Sequence, residues 1–401
     1  MTKNIQSSEG SQDNIIQTVR FVPDNAEVFA DLGLLNEFAG TWEGEGFNLI
    51  ARPDFHDKAN LYLQLNQTRE TLRLEPIGSP IPNRGFGQDD IELFGLSYLQ
   101  KIKDVFTGGA LHFEPGLWVT QPATTYPPET APPQIVFREG SIPHGSVFLA
   151  QGTAEHFSGP PTLKTAAPEY AFSRFPSFNS TPFGAATSTV SAVINAAGSS
   201  EKLTAAALGV PPFNEYDTTV PEGPGNPRTP FATNPPDPPL PPAINGVPMQ
   251  EVINDPIKLL QQVIKQQVAE GHTFEGTVLN IATQRTIRFS KSPNSKAGDP
   301  TVDVTVTDAA GGIENILFLE GGEPTGPQGS NAEIALVYAT FWIEKVAHPL
   351  RPTFFQLQYA QMVIMDFPIF KLLNPVPPTP PVLVNLGWPH ISVATLRKHF
   401  S

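Results

Sequence analysis

The placement of proline sets the first limit on what this chain can fold into. It has 44 prolines in 401 residues, and they crowd the stretch from Pro160 to Pro248, above all Pro235-Pro236-Asp237-Pro238-Pro239-Leu240-Pro241-Pro242. Proline fixes φ and has no backbone N–H to give to a ladder, so this stretch cannot be sheet interior. It reads as a long insertion packed over a scaffold, or as a linker. The chain on either side alternates in the manner of strands. Between Asn60 and Asn66, Leu61, Leu63 and Leu65 share one face; between Glu70 and Leu74, Leu72 and Leu74 oppose Thr71 and Arg73. Further strands are expected at Ile91–Leu99, Ala110–Trp118, Gln134–Arg138 and Ser146–Gln151. Beyond the insertion they are expected at Thr273–Ala282, Thr286–Ser290, Thr301–Thr307, Ile313–Leu319, Glu333–Val346, Thr353–Met365 and His390–Arg397. Strands at this spacing without long helices between them argue for an all-β antiparallel barrel or sandwich.

Three helices are expected beside the strands. Ala26 to Glu37 is a short amphipathic stretch, and Ser188 to Leu208 is alanine-rich. In Asp255–Ala269, Pro256 takes an early helical position after Asn254 or Asp255 as cap, and Ile257, Leu260, Ile264 and Val268 form a stripe. The organisation that follows is a polar tail over 1–25, a first part of the barrel over 26–159, the insertion over 160–250, and a helix with the second part of the barrel over 251–401.

Composition removes several function classes. With 39 acidic against 25 basic residues and a formal charge of −14, the chain has no basic stripe to neutralise phosphates, so no nucleic-acid partner is expected. It has no cysteine, hence no disulfide, iron–sulfur cluster or cysteine nucleophile. No run of about 18 apolar residues is present, so no membrane span is expected. The polar start Met1 to Gln12 lacks the apolar stretch of a secretory signal, and a cytoplasmic protein is expected. No metalloprotease helix pair, hydrolase nucleophile elbow or phosphate-binding loop occurs, and Gly44-Glu45-Gly46 lacks the third glycine of a dinucleotide fingerprint.

The chemistry available rests on eight histidines. In Gly40-Thr41-Trp42-Glu43-Gly44-Glu45-Gly46 a strand puts Trp42, Gly44 and Gly46 on one face, where the glycines admit a close neighbour, either a ligand or a crossing strand. Glu43 and Glu45 share the other, solvated face. In the last strand His390, Ser392, Ala394 and Leu396 share a side, so the histidine stands beside small residues that leave a slot for a flat ligand. A single histidine suffices to hold haem iron, and an ordinary structural histidine is the alternative. His112 reads as a hydrogen-bonded barrel residue, with iron ligation as the alternative. His144, on the turn Ile142-Pro143-His144-Gly145, is an exposed loop residue or a distal proton-handling group. Arg351, Lys345 and Arg397 are candidate partners for carboxylates of a ligand.

Three segments together resemble the nitrobindins, haem-binding β-barrels of the lipocalin-like and fatty-acid-binding-like kind. They are Gly40–Gly46, Leu111-His112-Phe113-Glu114-Pro115-Gly116-Leu117-Trp118, and Pro389-His390-Ile391-Ser392-Val393-Ala394-Thr395-Leu396-Arg397. Their order matches the start, middle and end of that barrel, although Phe113 stands where the family has arginine. The resemblance implies an up-and-down barrel of ten strands with haem b at its mouth and His390 as the iron's axial ligand. Thr41 and Trp42 would lie near the pocket. It also implies a small-molecule partner (nitric oxide, peroxynitrite or peroxide), with peroxynitrite isomerase or peroxidase-like activity. The alternatives are a lipocalin-like carrier of an apolar molecule without haem, suited by 27 phenylalanines, and a scaffold whose insertion contacts proteins. A homodimer is left open.

Overall fold

The computed structural model describes residues 25–54, 59–84, 90–121, 134–142, 147–163, 189–193, 200–204, 229, 240–290, 301–307, 333–371 and 382–399. After helix α1 (Asn25–Asp31) and a 3-10 helix (Gly33–Phe38), the chain enters β1 (Gly40–Asp54), β2 (Ala59–Pro76), β3 (Ile81–Asn83), β4 (Ile91–Asp104), β5 (Ala110–Gln121), β6 (Gln134–Ser141) and β7 (Val147–Ser158). The insertion contributes β8 (Thr189–Val193), β9 (Ser200–Thr204), β10 (Ala243–Ile244) and β11 (Val247–Pro248). Next come α2 (Met249–Asn254), α3 (Lys258–Ala269), β12 (Thr273–Ala282), β13 (Gln284–Ser290), β14 (Thr301–Thr307), β15 (Glu333–His348), β16 (Arg351–Lys371) and β17 (Val382–His399).

Ten of these strands form a closed antiparallel barrel. The order runs β2-β1-β17-β16-β15-β12-β7-β6-β5-β4, and β2 pairs with β4 to close the ring while β3 hangs on β4. Strands from both sides of the insertion therefore share one ring. β8–β9, β10–β11 and β13–β14 are separate two-stranded ribbons.

Alternation along each strand sorts the residues into two cores. Inside the barrel, Trp42, Leu72, Leu96, Trp118, Phe341, Leu357 and Leu396 pack with Leu35 and Phe38 of the 3-10 helix. That helix closes one end. The Gln134 side chain accepts from Leu34 N–H and donates to Leu32 O, Lys398 Nζ donates to Glu37 O, and Trp42 Nε1 donates to Phe38 O at 2.8 Å. Outside the wall, Phe47, Leu49, Leu63, Leu65, Trp342, Met362, Ile391 and Val393 are covered by Leu163, Leu240, Ile244, Val247 and the apolar faces of α2 and α3. Leu163, Leu240, Ile244 and Val247 of the insertion thus pack over the scaffold. Leu63 and Leu65 do share a face, and it is this covered outer face.

Two helix expectations need correction. Within Ser188–Leu208 the described residues form β8 and β9, paired from Thr189↔Thr204 to Val193↔Ser200; β-branched Thr189, Val190 and Val193 override the alanine content. The helix expected from Asp255 starts at Lys258, because Asp255 has extended backbone (φ −158°, ψ 81°) and caps α2. Its buried face is Leu259, Leu260, Ile264 and Gln267, while Val268 is 45% exposed. The stretch expected to be helical over Ala26–Glu37 is divided between α1 and the 3-10 helix. The tail to residue 24, Ile313–Leu319, Pro375–Pro381, His56 and His144 lie outside the described residues.

Candidate functional site

Gly44 and Gly46 turn out to admit a strand. A Cβ on Gly44 would stand 2.2 Å from Thr395 O, and one on Gly46 2.4 Å from Val393 O. The close neighbour is β17, paired from Thr41↔His399 to Ile50↔His390. That register fixes which β17 side chains enter the barrel: His390, Ser392, Ala394 and Leu396, with Ile391 and Val393 in the outer layer.

At the end opposite the 3-10 helix the interior opens into a cavity of about 320 Å³. Its apolar lining is Ile50, Ile102, Ala110, Leu111, Ile142 and Val363. Its polar lining is Asn48, Gln64, Gln100, His112, Tyr359, Gln361, His390 and Ser392. The β16–β17 ladder continues past Val363↔His390 out to Lys371↔Val382. His390 Nε2 lies 3.1 Å from Ala51 O. A carbonyl only accepts, so His390 Nε2 donates to it. Arg52, on the same face of β1 as Asn48 and Ile50, donates Nε to Gln64 Oε1 and stacks over Tyr62.

Behind the cavity lies a buried polar network. Glu114 Oε1 accepts from Arg138 Nη2 at 2.5 Å and from Tyr98 OH, and Glu114 Oε2 meets His112 Nε2 at 2.9 Å. Arg138 also donates to Tyr98 OH and to Gln361 Oε1, and its guanidinium sits 5.2–5.7 Å from the ring centroids of Tyr98, Trp118, Phe148 and Phe341. Such a cage, with each guanidinium nitrogen near an acceptor, is how a fully buried guanidinium is tolerated. Burial pushes the Glu114 carboxyl up, but the Arg138 charge with His112 and Tyr98 more than reverses this, and the group falls to about 2. Glu70 behaves otherwise. It accepts from Tyr359 OH at 2.5 Å and from Thr68, yet burial outweighs these bonds and raises it. Asn48 Oδ1, on the cavity wall, is buried with no hydrogen-bond partner among the described residues.

Of the expected site residues, His390 lines the cavity; Thr41 and Trp42 do not. Trp42 is fully buried in the plugged end, and Glu43 and Glu45 are solvent-facing. Arg351 pairs with Glu270, Lys345 with Glu275, and Arg397 stacks over Phe354. None of these three cations lines the cavity; Arg52 hydrogen-bonds to its lining residue Gln64. Sequence reading missed Glu114, Arg138, Tyr98 and Gln361. One signal was available: His112 and Glu114 stand two apart on a strand, hence on one face.

No protein-family model matches the chain, and the search of curated proteins gives no match. Among solved structures it is similar to Rv2717c from M. tuberculosis, at 10% identity over 92% of this chain and 98% of that one, with a TM-score of 0.30. A likeness of that size carries no argument; the barrel rests on its own strand register.

Proposed function

We propose that the chain is a haem b-binding β-barrel protein in which His390 holds the iron, acting on nitric oxide, peroxynitrite or peroxide. The observation that carries this reading is the inward register of His390, on a cavity wall beside the small Ser392. The donor set fits the group. The Ala51 carbonyl orients the His390 ring through Nε2, so iron would take the other ring nitrogen. Arg52 offers a cation for ligand carboxylates at the cavity edge. Bound iron would supply a coordination position for a small nitrogen or oxygen ligand. Around it Ile50, Ile102, Leu111, Ile142 and Val363 exclude water, and Gln361, its Oε1 taken by Arg138, keeps its amide N–H groups to donate to an oxyanion.

The second reading, a carrier of an apolar molecule, fits the lining less well. A purely apolar ligand would bury Asn48, Gln64, Gln100, Gln361 and Ser392 without replacing their water, at a cost for each unpaired group. Adding hemin to the purified protein decides between them. A sharp Soret band that shifts with nitric oxide and disappears in His390→Ala is expected; a wild type giving only the broad band of free hemin would rule the haem reading out.

A further inference from the structure

We infer that the cavity floor binds the carboxylate of a small monocarboxylic acid, held by Gln361, Ser392 and Asn48, with the acid's apolar body toward the mouth. The site uses residues deeper in the barrel than His390 and needs no haem.

Most of the polar lining is already committed within the protein. Gln64 accepts from Arg52 and donates to Asn66. Gln100 accepts from Arg138 and donates to Tyr359 and Glu70, and Tyr359 donates in turn to Glu70. His112 meets Glu114, and His390 meets the Ala51 carbonyl. Gln361, Ser392 and Asn48 differ. Gln361 is 8% exposed, and its Oε1 is taken by Arg138 Nη1 at 2.7 Å. Arginine only donates, so this bond fixes the amide, and Nε2 is left to the cavity with no partner among the described residues. Asn48 is 4% exposed, its Oδ1 is buried without a partner, and no described residue bonds its Nδ2. Ser392 Oγ has no partner among the described residues either.

Strand register brings the three together. Ser392 of β17 stands directly opposite Gln361 of β16 on one side and Asn48 of β1 on the other. Side chains so opposed have Cβ atoms about 4.5–5.5 Å apart. The row offers N–H, O–H and N–H side by side, and no Asp or Glu lines the cavity. A carboxylate satisfies such a row, because both its oxygens accept and neither donates. Arg138 polarises the Gln361 amide through Oε1, and hydrogen bonds in series reinforce one another away from water. Glu114 neutralises Arg138, so the site draws on donors rather than net charge, which suits one carboxylate and not a diacid. Two residues nearer the mouth, Ile50 and Val363 flank His390. With Ile102, Leu111 and Ile142 they form the wall that receives the hydrocarbon. A volume of about 320 Å³ is at the small end for ligand sites and fits an acid of a few carbons.

Titrating hexanoate and 1-hexanol into the hemin-free full chain at neutral pH, by calorimetry and side-chain amide NMR, tests the site. Hexanoate should bind saturably and shift the Gln361 and Asn48 amide signals. 1-Hexanol should bind about 10-fold or more weaker, the size of a hydrogen bond to a charged group. Gln361→Glu keeps an oxygen for Arg138 but removes the donor, so hexanoate affinity should fall by about 10-fold or more. Ser392→Ala leaves the Arg138 network untouched and should weaken hexanoate by about fivefold. The inference is overturned by 1-hexanol binding as tightly as hexanoate, by hexanoate that does not saturate, or by Gln361 and Asn48 amides that do not shift. Wild-type affinity in Gln361→Glu overturns it too; if that variant does not fold, wild-type affinity in Ser392→Ala decides alone. Hemin plays no part in these measurements, so their failure and the failure of the haem reading are separate results.

Discussion

Glu114 and Glu344 are both sealed from solvent, and the barrel treats them in opposite ways. Glu114 points inward from β5 onto Arg138 and is driven down to about 2. Glu344 points outward from β15 into the layer beneath α3, where its one hydrogen bond among the described residues is from Gln356 Nε2 at 2.6 Å. Its Oε1 has no hydrogen-bond partner among the described residues, and burial, only partly offset by that bond, pushes the group up to about 8. Burial is common to both, so the counter-charge decides which one ionises. Inside the barrel an ionised carboxylate is built and held beside a histidine. Under the helix a neutral acid is merely accommodated.

The largest expected effect removes the counter-charge. Arg138→Met keeps much of the side-chain length but leaves Glu114 buried without its guanidinium partner, which costs about 3–5 kcal/mol. A urea unfolding series at pH 7 should show the midpoint fall accordingly. An unmoved midpoint would mean that Glu114 is not ionised, and the contrast between the two acids would collapse.

The second effect has a definite pH direction. Glu344 is raised from 4.5 to about 8 in the folded state, so between these values the unfolded chain gives up its proton and the folded one keeps it. Stability contributed at this site therefore falls as pH rises from about 4.5 to about 8, then levels off. Glu114, lowered to about 2, works in the opposite window: its contribution is present above about 4.5 and is lost as pH falls toward 2. Glu344→Gln should flatten the alkaline limb, by an amount on the order of a few kcal/mol at pH 8, and leave the acid limb intact. Parallel stability curves for variant and wild type would show that Glu344 is not neutral.

Much of the barrel was legible because its strands alternate: the inward set His390, Ser392, Ala394 and Leu396 and the opposed faces of Glu70–Leu74 are both as period two requires. The outer layer was not. Strands covered on both sides, such as the one bearing Phe47 with Leu49 outward and Trp42 with Asn48 inward, give no sign of which apolar face is the lumen. The helix register was misjudged at Val268 because α3 turns a polar residue, Gln267, onto Gln356 of the wall. The cavity network was hidden for a different reason. Tyr98, Glu114 and Arg138 come from the successive strands β4, β5 and β6 and Gln361 from the distant β16, and their parity puts each inside without showing that they meet. Thr41 and Trp42 were drawn to the site by the resemblance, whereas Trp42 serves the plug 0% exposed.

The smallest expected effect tests which cations serve the cavity. Lys345 and Arg351 are in surface pairs with Glu275 and Glu270 on exposed side chains, where water and salt screen the attraction. Lys345→Ala and Arg351→Ala should leave both the urea midpoint and the hemin affinity where they are. Arg52 stands beside cavity-lining Gln64, so Arg52→Ala should weaken hemin binding. A partly solvated pair contributes about 0–1 kcal/mol, so the loss should be roughly fivefold or less and shrink as salt is added. Titrating hemin into the three variants at low and high salt ranks them. An Arg52 variant indistinguishable from the other two would mean that no cation at this edge of the cavity contacts the ligand, and that its carboxylates face water.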